Sequence, residues 1–263
     1  MDIIKKHLTK LEKKEQKLLN KKQGIIEEKL EPIVDKVESK VPETLKNSLN
    51  KAFYKAFQIV FEKGTKYIEK LYNKNKIQFN HDVNNYRVER NLSNKSLKKI
   101  DKHAQRSNLL NTSISTLEGA GLGFLGMGLP DIPLFTAMVL KTIYEIALSY
   151  GFLYELEEEK IYVLNLINAA LTTDETQRKY NHKVELLGGK IDSHVQFNYD
   201  LNKEIANTSR ILSDTMLASK FVQGIPVVGA VGSIANYKTI NKISRYSSIK
   251  YKKRYLYSMS KKY

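Results

Sequence analysis

The chain has 263 residues, with 44 basic and 28 acidic side chains, 41% hydrophobic residues and no cysteine. That length can bury a substantial core, and the hydrophobic content excludes a disordered polymer. The lack of cysteine excludes disulfides and thiolate-held metals, as suits a reducing cytoplasm.

Charge is unevenly placed. Residues 1–76 hold 19 lysines against 11 acids, residues 77–214 hold 15 basic against 17 acidic groups, and residues 215–263 hold ten basic groups and no acid. With two basic ends around a nearly neutral middle, the charge is regional rather than a uniform solubility coat, while abundant Lys, Asn and Ile also fit an AT-rich genome that inflates lysine without a functional reason. The start, Met-Asp-Ile-Ile-Lys-Lys-His, has no apolar secretion core, so a cytoplasmic location is expected.

In chain order, Ile4, Leu8, Leu11, Leu18 and Ile25 repeat at three- and four-residue steps over residues 3–30. Glu15 and Lys22 interrupt the stripe, which reads either as a coiled-coil arm or as a surface helix. A second helix is expected near Pro42, with Leu45, Leu49, Phe53, Phe57 and Val60 on a firmer apolar face. The Asn-rich, polar stretch 73–97 reads as a linker. It divides a basic N-terminal region, 1–76, from a helical core with a basic tail, 77–263. Ser96 is placed to cap a helix running to about Leu117.

Five glycines then fall within ten positions, Gly119, Gly121 and Gly123 among them, followed by Pro130-Asp131-Ile132-Pro133. Asp131 is expected to cap a new helix, with Pro133 tolerated in its first turn. Phe135, Met138, Val139, Thr142, Ile143, Ile146, Ala147 and Tyr150 continue at helical spacing, and Gly151 supplies the stop. A helix over about 155–171 follows. Thr172-x-x-Glu175 has capping-box spacing for the next one, which Gly188-Gly189 is expected to end. A helix over 201–223 leads to a second glycine segment with Gly224, Pro226, Gly229 and Gly232, followed by Asn236 and a last helix over about 227–257. No alternating stretch argues for a sheet. The expected fold is all-α: a helical bundle with two glycine-marked apolar hairpins and a basic C-terminal helix.

Neither apolar stretch makes a convincing membrane span. The first is cut by Pro130-Asp131-x-Pro133, and a mid-bilayer Asp costs roughly 3 kcal/mol. The second, residues 221–237, is at the short limit for crossing and contains Gln223, Pro226 and Asn236. Small residues such as Gly119, Gly123, Gly229 and Gly232 read first as close-packing positions in a buried hairpin, and second as an apolar hairpin docking shallowly in a bilayer.

Catalytic signatures are missing. His7, His81, His103, His182 and His194 make no close metal-ligand pattern, and no Gly-x-Ser-x-Gly elbow occurs. Gly119-x-Gly121 with Gly123 follows a helix rather than a strand, against nucleotide binding. Glu155, Glu157, Glu158 and Glu159 suit the positive N-terminal end of a helix. No cofactor or metal is expected. Asp131 is the one acid in apolar surroundings, and an enzyme or carrier acting on a lipid-like ligand near it is the alternative to a non-enzymatic role.

The C-terminus places Lys238, Lys242, Arg245, Lys250, Lys252, Lys253 and Arg254 among tyrosines. On a helix, Ile240, Ile243 and Ser247 share one side, while Lys238, Lys242 and Arg245 sit on another. Anionic headgroups attract such a segment at about 1 kcal/mol per basic residue, and tyrosine suits the interface. All seven cations are the expected lipid-binding set. Nucleic acid is the competing partner, but the tail is lysine-rich and carries no recognisable nucleic-acid motif.

Glu118-Gly-Ala-Gly with Gly-Leu-Pro-Asp-Ile-Pro133, then Ile143-x-x-Ile-Ala147 and Tyr150-Gly-Phe152, resembles the EcsC family of bacterial proteins. So does Gly224-Ile-Pro-Val-Val-Gly-Ala-Val-Gly232 with Asn236 and a basic last helix, so that the likeness spans roughly residues 90–255. An acid that often follows Tyr-Gly-aromatic in the family is replaced here by Leu153-Tyr154. The resemblance implies a helical bacterial cytoplasmic protein whose namesake gene lies beside genes for an ATP-binding-cassette exporter. It brings no established reaction. The resulting expectation is an accessory protein peripheral to the inner face of the plasma membrane, linked to transport or secretion, with a transporter as a protein partner.

Overall fold

A computed structural model describes residues 2–20, 42–106, 131–222 and 233–262. Every regular element among them is helical, and no strand occurs, so the fold is all-α as expected. The helices are α1 (Asp2–Leu19), α2 (Glu43–Ile59), α3 (Thr65–Glu69), α4 (Lys74–Arg90), α5 (Asn94–Arg106), α6 (Asp131–Ser149), α7 (Glu157–Leu171), α8 (Asp174–Asp192), α9 (Leu201–Val222) and α10 (Ser233–Ser260). A π-helical turn, Val60–Gly64, joins α2 to α3.

Two helices form the centre. In α7 every residue from Ile161 to Leu171 is buried, the all-round apolar pattern of a helix enclosed by others. It packs on α8, α9 and α10. The segment Ile132–Ser149 of α6 is long and apolar enough to cross a membrane, but 83% of it is buried against protein. Its neighbours are α2, α4, α5 and α10. The helix α10 thus touches both central helices, and α2 reaches from α6 to α9. Helices on both sides of residue 76 contribute to one hydrophobic core, with Ile4, Phe53, Val139, Leu164 and Leu256 all within it.

Helix ends follow local chemistry. At the end of α6, Gly151 has φ +84°; its N–H donates to Leu148 O and the Phe152 N–H to Ala147 O. This is the paired bonding of a Schellman stop, as the glycine suggested. The stretch read as a linker is instead α4, started by Asn73, whose side chain accepts from the Lys76 N–H at 2.9 Å. Asn and polar residues suit its exposed face while Val88 is fully buried. The α5 cap is Ser93 rather than Ser96: each serine hydroxyl accepts from the other's backbone N–H, at 3.2 and 3.0 Å.

Two other expected boundaries move. Thr172 does not open α8; its hydroxyl donates to Asn168 O at 2.7 Å and so closes α7. Gly188 and Gly189 lie inside α8, which ends instead where His194 takes φ +52° and the Val195 N–H reaches Lys190 O. A Cβ on Gly188 would meet Arg254 Cδ and Tyr162 Cε2, each at 3.3 Å. The glycine is there for close packing, not for termination.

Gly119, Gly121, Gly123, Pro130, Gly224, Pro226, Gly229 and Gly232, and with them both glycine hairpins, lie outside the described residues, as does the stretch 107–117 expected to extend α5. Asp131 is the first residue of α6 and Asn236 lies in the first turn of α10, but neither side chain is among those described. Pro133 is buried in the first turn of α6, where its missing N–H has no helical acceptor to lose.

Candidate anion-binding groove

The seven cations of the C-terminal segment all lie on α10, and the structure divides them. Ile240, Ile243 and Ser247 face inward, and the same stripe continues directly to Lys250 and Arg254. Lys250 is 2% exposed and Arg254 5% exposed. Their helix faces therefore put them into the protein, where a buried charge is costly unless it is paired with a carboxylate.

They find carboxylates on helices remote in sequence. Lys250 Nζ donates to Glu15 of α1 and to Glu185 of α8. Lys253 Nζ lies 2.8 Å from Glu15 Oε2 and 2.9 Å from Glu185 Oε1. Arg254 uses Nε and Nη2 on Asp192, and Nη2 also lies 2.6 Å from Glu159 Oε1. The guanidinium centre sits 4.2 Å from the Phe152 ring centroid and 4.5 Å from that of Tyr162, a cation–π cradle closed by Gly188. Lys252 reaches Asp101 of α5 at 2.6 Å. Burial works against the Arg254 charge, but Glu159 and Asp192 outweigh it and hold the guanidinium firmly protonated. Burial likewise lifts the Glu185 carboxyl, but Lys250 and Lys253 overcome it and leave its pKa below the ordinary 4.5.

This ionic strap corrects the sequence expectation. Lys250, Lys253 and Arg254 do not present an outward basic surface; they bind α10 to α1, α7 and α8. Lys252 is turned to Asp101 and largely covered. A cleft of about 260 Å3 runs beside the strap between α8 and α10; of its cations, Lys250, Lys253 and Arg254 are those already paired with Glu185 and Asp192, and Lys261 lies at its edge.

The first half of α10 is different. Lys238, Lys242 and Arg245 are exposed, as the sequence indicated. They line a groove of about 610 Å3, and a fourth cation, Arg178 of α8, joins them there. Its opposite parts are the end of α1, with Leu18 and Leu19, and the α7–α8 turn, with Ala170, Thr173 and Asp174. Among the described residues Asp174 is the one carboxylate in the lining. Among the described residues no ion pair engages Arg178, Lys238 or Arg245. Sequence reading missed Arg178, because nothing in its own neighbourhood on α8 predicts that it meets α10 some sixty residues later.

No group of three or more His, Cys, Asp or Glu side chains that could hold a metal ion occurs among the described residues. His81 is mostly buried, with Nδ1 3.1 Å from Ser149 O and its ring against Gly151. Burial lowers its pKa below 6.5, which suits a neutral packing residue.

These features define an all-helical protein with an internally neutralised ionic strap and an exposed basic groove. The model of the EcsC protein family matches residues 5–256, nearly the whole chain, and the chain belongs to that family. The match reaches far upstream of the segment that carries the sequence resemblance, and takes in α1 and α2. Uncharacterized protein YdbA of Bacillus subtilis (strain 168) is 27% identical over 168 residues, covering 59% of this chain and 57% of that protein. Protein EcsC of the same organism is 24% identical over 151 residues, covering 55% of this chain and 59% of that protein. The chain thus spans less than two thirds of the length of either curated relative. No solved structure matches it.

Proposed function

We propose that this protein is a non-enzymatic accessory protein that associates peripherally with an anionic membrane surface, at the cytoplasmic leaflet, through the first half of α10. One observation carries the reading. Lys238, Lys242 and Arg245 are exposed together, directly after the uncharged run 221–237, while the other cations of the same helix are turned inward or to Asp101. Exposed cations beside an apolar segment fit a surface that offers negative headgroups above hydrocarbon. A link to transport or secretion rests on the family resemblance alone, whose namesake gene lies beside genes for an ATP-binding-cassette exporter.

Flotation of the full chain with neutral and anionic vesicles at low and high salt tests this. Binding is expected with anionic vesicles only, weakening as salt rises. Failure to float with anionic vesicles at low salt overturns the reading. Duplex DNA added as competitor identifies the rival polyanion: tight, salt-steep DNA binding without flotation would assign the basic face to nucleic acid.

A further inference from the structure

We infer that the outward face of α4, carrying Phe79, Val83 and Tyr86, is a self-association surface that pairs with the same face of a second copy in a parallel two-helix seam. The inference is independent of the membrane reading. The helix α4 has two opposed apolar faces. Inward, Val88 is fully buried, His81 lies against Gly151, and Asn85 accepts from the Tyr255 hydroxyl at 2.9 Å. Outward, Phe79 is 67% and Tyr86 59% exposed, the two most exposed large hydrophobic side chains among the described residues. Val83 stands between them, half-buried. Positions 79, 83 and 86 recur at steps of four and three, so they form one stripe about two turns long, with 81 and 88 on the opposite side of the helix. A single exposed aromatic is ordinary, whereas a stripe at this spacing is the knobs-into-holes surface of a helix pair.

The charges beside the stripe select the occupant. With Phe79 and Tyr86 in d positions of a heptad and Val83 in an a position, Asp82 takes g and Arg87 the following e. Both are exposed. In a parallel pair in register, a g side chain meets the e side chain five positions later on the other helix, so two-fold symmetry gives two Asp82–Arg87 bridges across one seam. An antiparallel pair would set Asp82 against Asp82 and Arg87 against Arg87, and like charges would oppose it. An anionic bilayer fits the stripe less well, because Asp82 and Glu89 line one of its flanks. Lys76 and Arg90 hold the a positions at either end and would meet their own counterparts, so the apolar seam stops at one aromatic on each side of Val83. That is far less than the ~800 Å2 per partner of a stable complex, and the association is therefore weak and reversible.

The full chain has no cysteine, so a single introduced cysteine is its only thiol. In Val83→Cys the seam brings the two thiols together, while Thr9→Cys, at an exposed position of α1, reports random collision. Helicity and thermal midpoint are checked as unchanged in every variant. Under mild oxidation Val83→Cys is expected to form a disulfide-linked dimer about tenfold faster than Thr9→Cys. Adding Asp82→Arg or Arg87→Asp should slow the linking about fivefold, by turning two attractions into repulsions, and adding both should restore it. Linking no faster than the collision control overturns the surface. Fast linking that ignores both reversals overturns the parallel, charge-matched pairing. Sedimentation equilibrium of the unmodified chain gives a reading free of any cysteine: its average mass should rise with concentration, and Phe79→Ser/Tyr86→Ser should hold it at the monomer value. A wild-type mass that stays monomeric throughout contradicts the proposal.

Discussion

Arg254 joins α7, α8 and α10 through one guanidinium, so its removal strands Glu159, itself 2% exposed, without its cation. Arg254→Met is expected to destabilise by about 3–5 kcal/mol, the cost of breaking a buried pair from one side. Adding Glu159→Gln should restore part of that, and a double-mutant cycle in urea would measure the coupling. Strict additivity would contradict the pairing. The glycines make a sharper comparison. Gly189 sits in an exposed part of α8 with open space around its absent Cβ, so Gly189→Ala should stabilise by about 1 kcal/mol. Gly188→Ala gains the same helix propensity but presses on Arg254 and Tyr162, and should forfeit most of that gain. Gly151→Ala combines a φ of +84° with a Cβ that would clash with the His81 ring, and should lower the thermal midpoint most of the three.

Among elements, α10 is a structural helix whose first half presents exposed cations. Tyr246, Tyr251, Tyr255 and Leu256 are buried in it, and Tyr246, Tyr255 and Lys252 bond to Asn181, Asn85 and Asp101. Deleting residues 246–263 is therefore expected to abolish cooperative thermal unfolding rather than release a harmless tail. A truncated chain that keeps its full helicity and midpoint would contradict this. The period of α6, the stop at Gly151 and the outward face of Lys238, Lys242 and Arg245 were all legible in the sequence, because each depends on near neighbours. The inward turn of Lys250 and Arg254 was legible too, as the continuation of Ile240, Ile243 and Ser247; charge composition hid it. Glu159 likewise precedes Tyr162 and Val163 on the buried face of α7. What no local pattern carried is the choice of partner: Glu15 lies 235 residues from Lys250, and Arg178 meets α10 only through the packing of three helices. The glycines of α8 misled for the same reason, since Gly188 answers to Arg254 and not to its own helix.

Over the whole molecule, the +16 net charge resolves into two kinds of cation. Some are spent inside the fold, and their carboxylate partners set its acid response. Burial raises the Glu69 carboxyl, but the Tyr154 hydroxyl and Lys74 outweigh it; Lys250 and Lys253 do the same for Glu185. Both folded pKa values lie below the ordinary 4.5. Such groups stabilise above the unfolded pKa, and their contribution is lost as pH falls through the folded value. Urea midpoints should therefore drop on acidification below about pH 4.5, and Glu185→Gln should narrow the difference between pH 7 and pH 4. An unchanged difference would remove Glu185 from the acid response. The other cations, Lys238, Lys242 and Arg245 on the first half of α10, are exposed, and the proposed function assigns them to an anionic surface. The most direct measurement of that division is co-sedimentation of the full chain and of Lys238→Ala/Lys242→Ala/Arg245→Ala with anionic vesicles at low salt. With three exposed cations removed and the ionic strap intact, the variant should keep the wild-type thermal midpoint and lose about 100-fold in vesicle affinity. A variant that folds normally and binds as tightly as wild type would place the anionic partner elsewhere on the molecule.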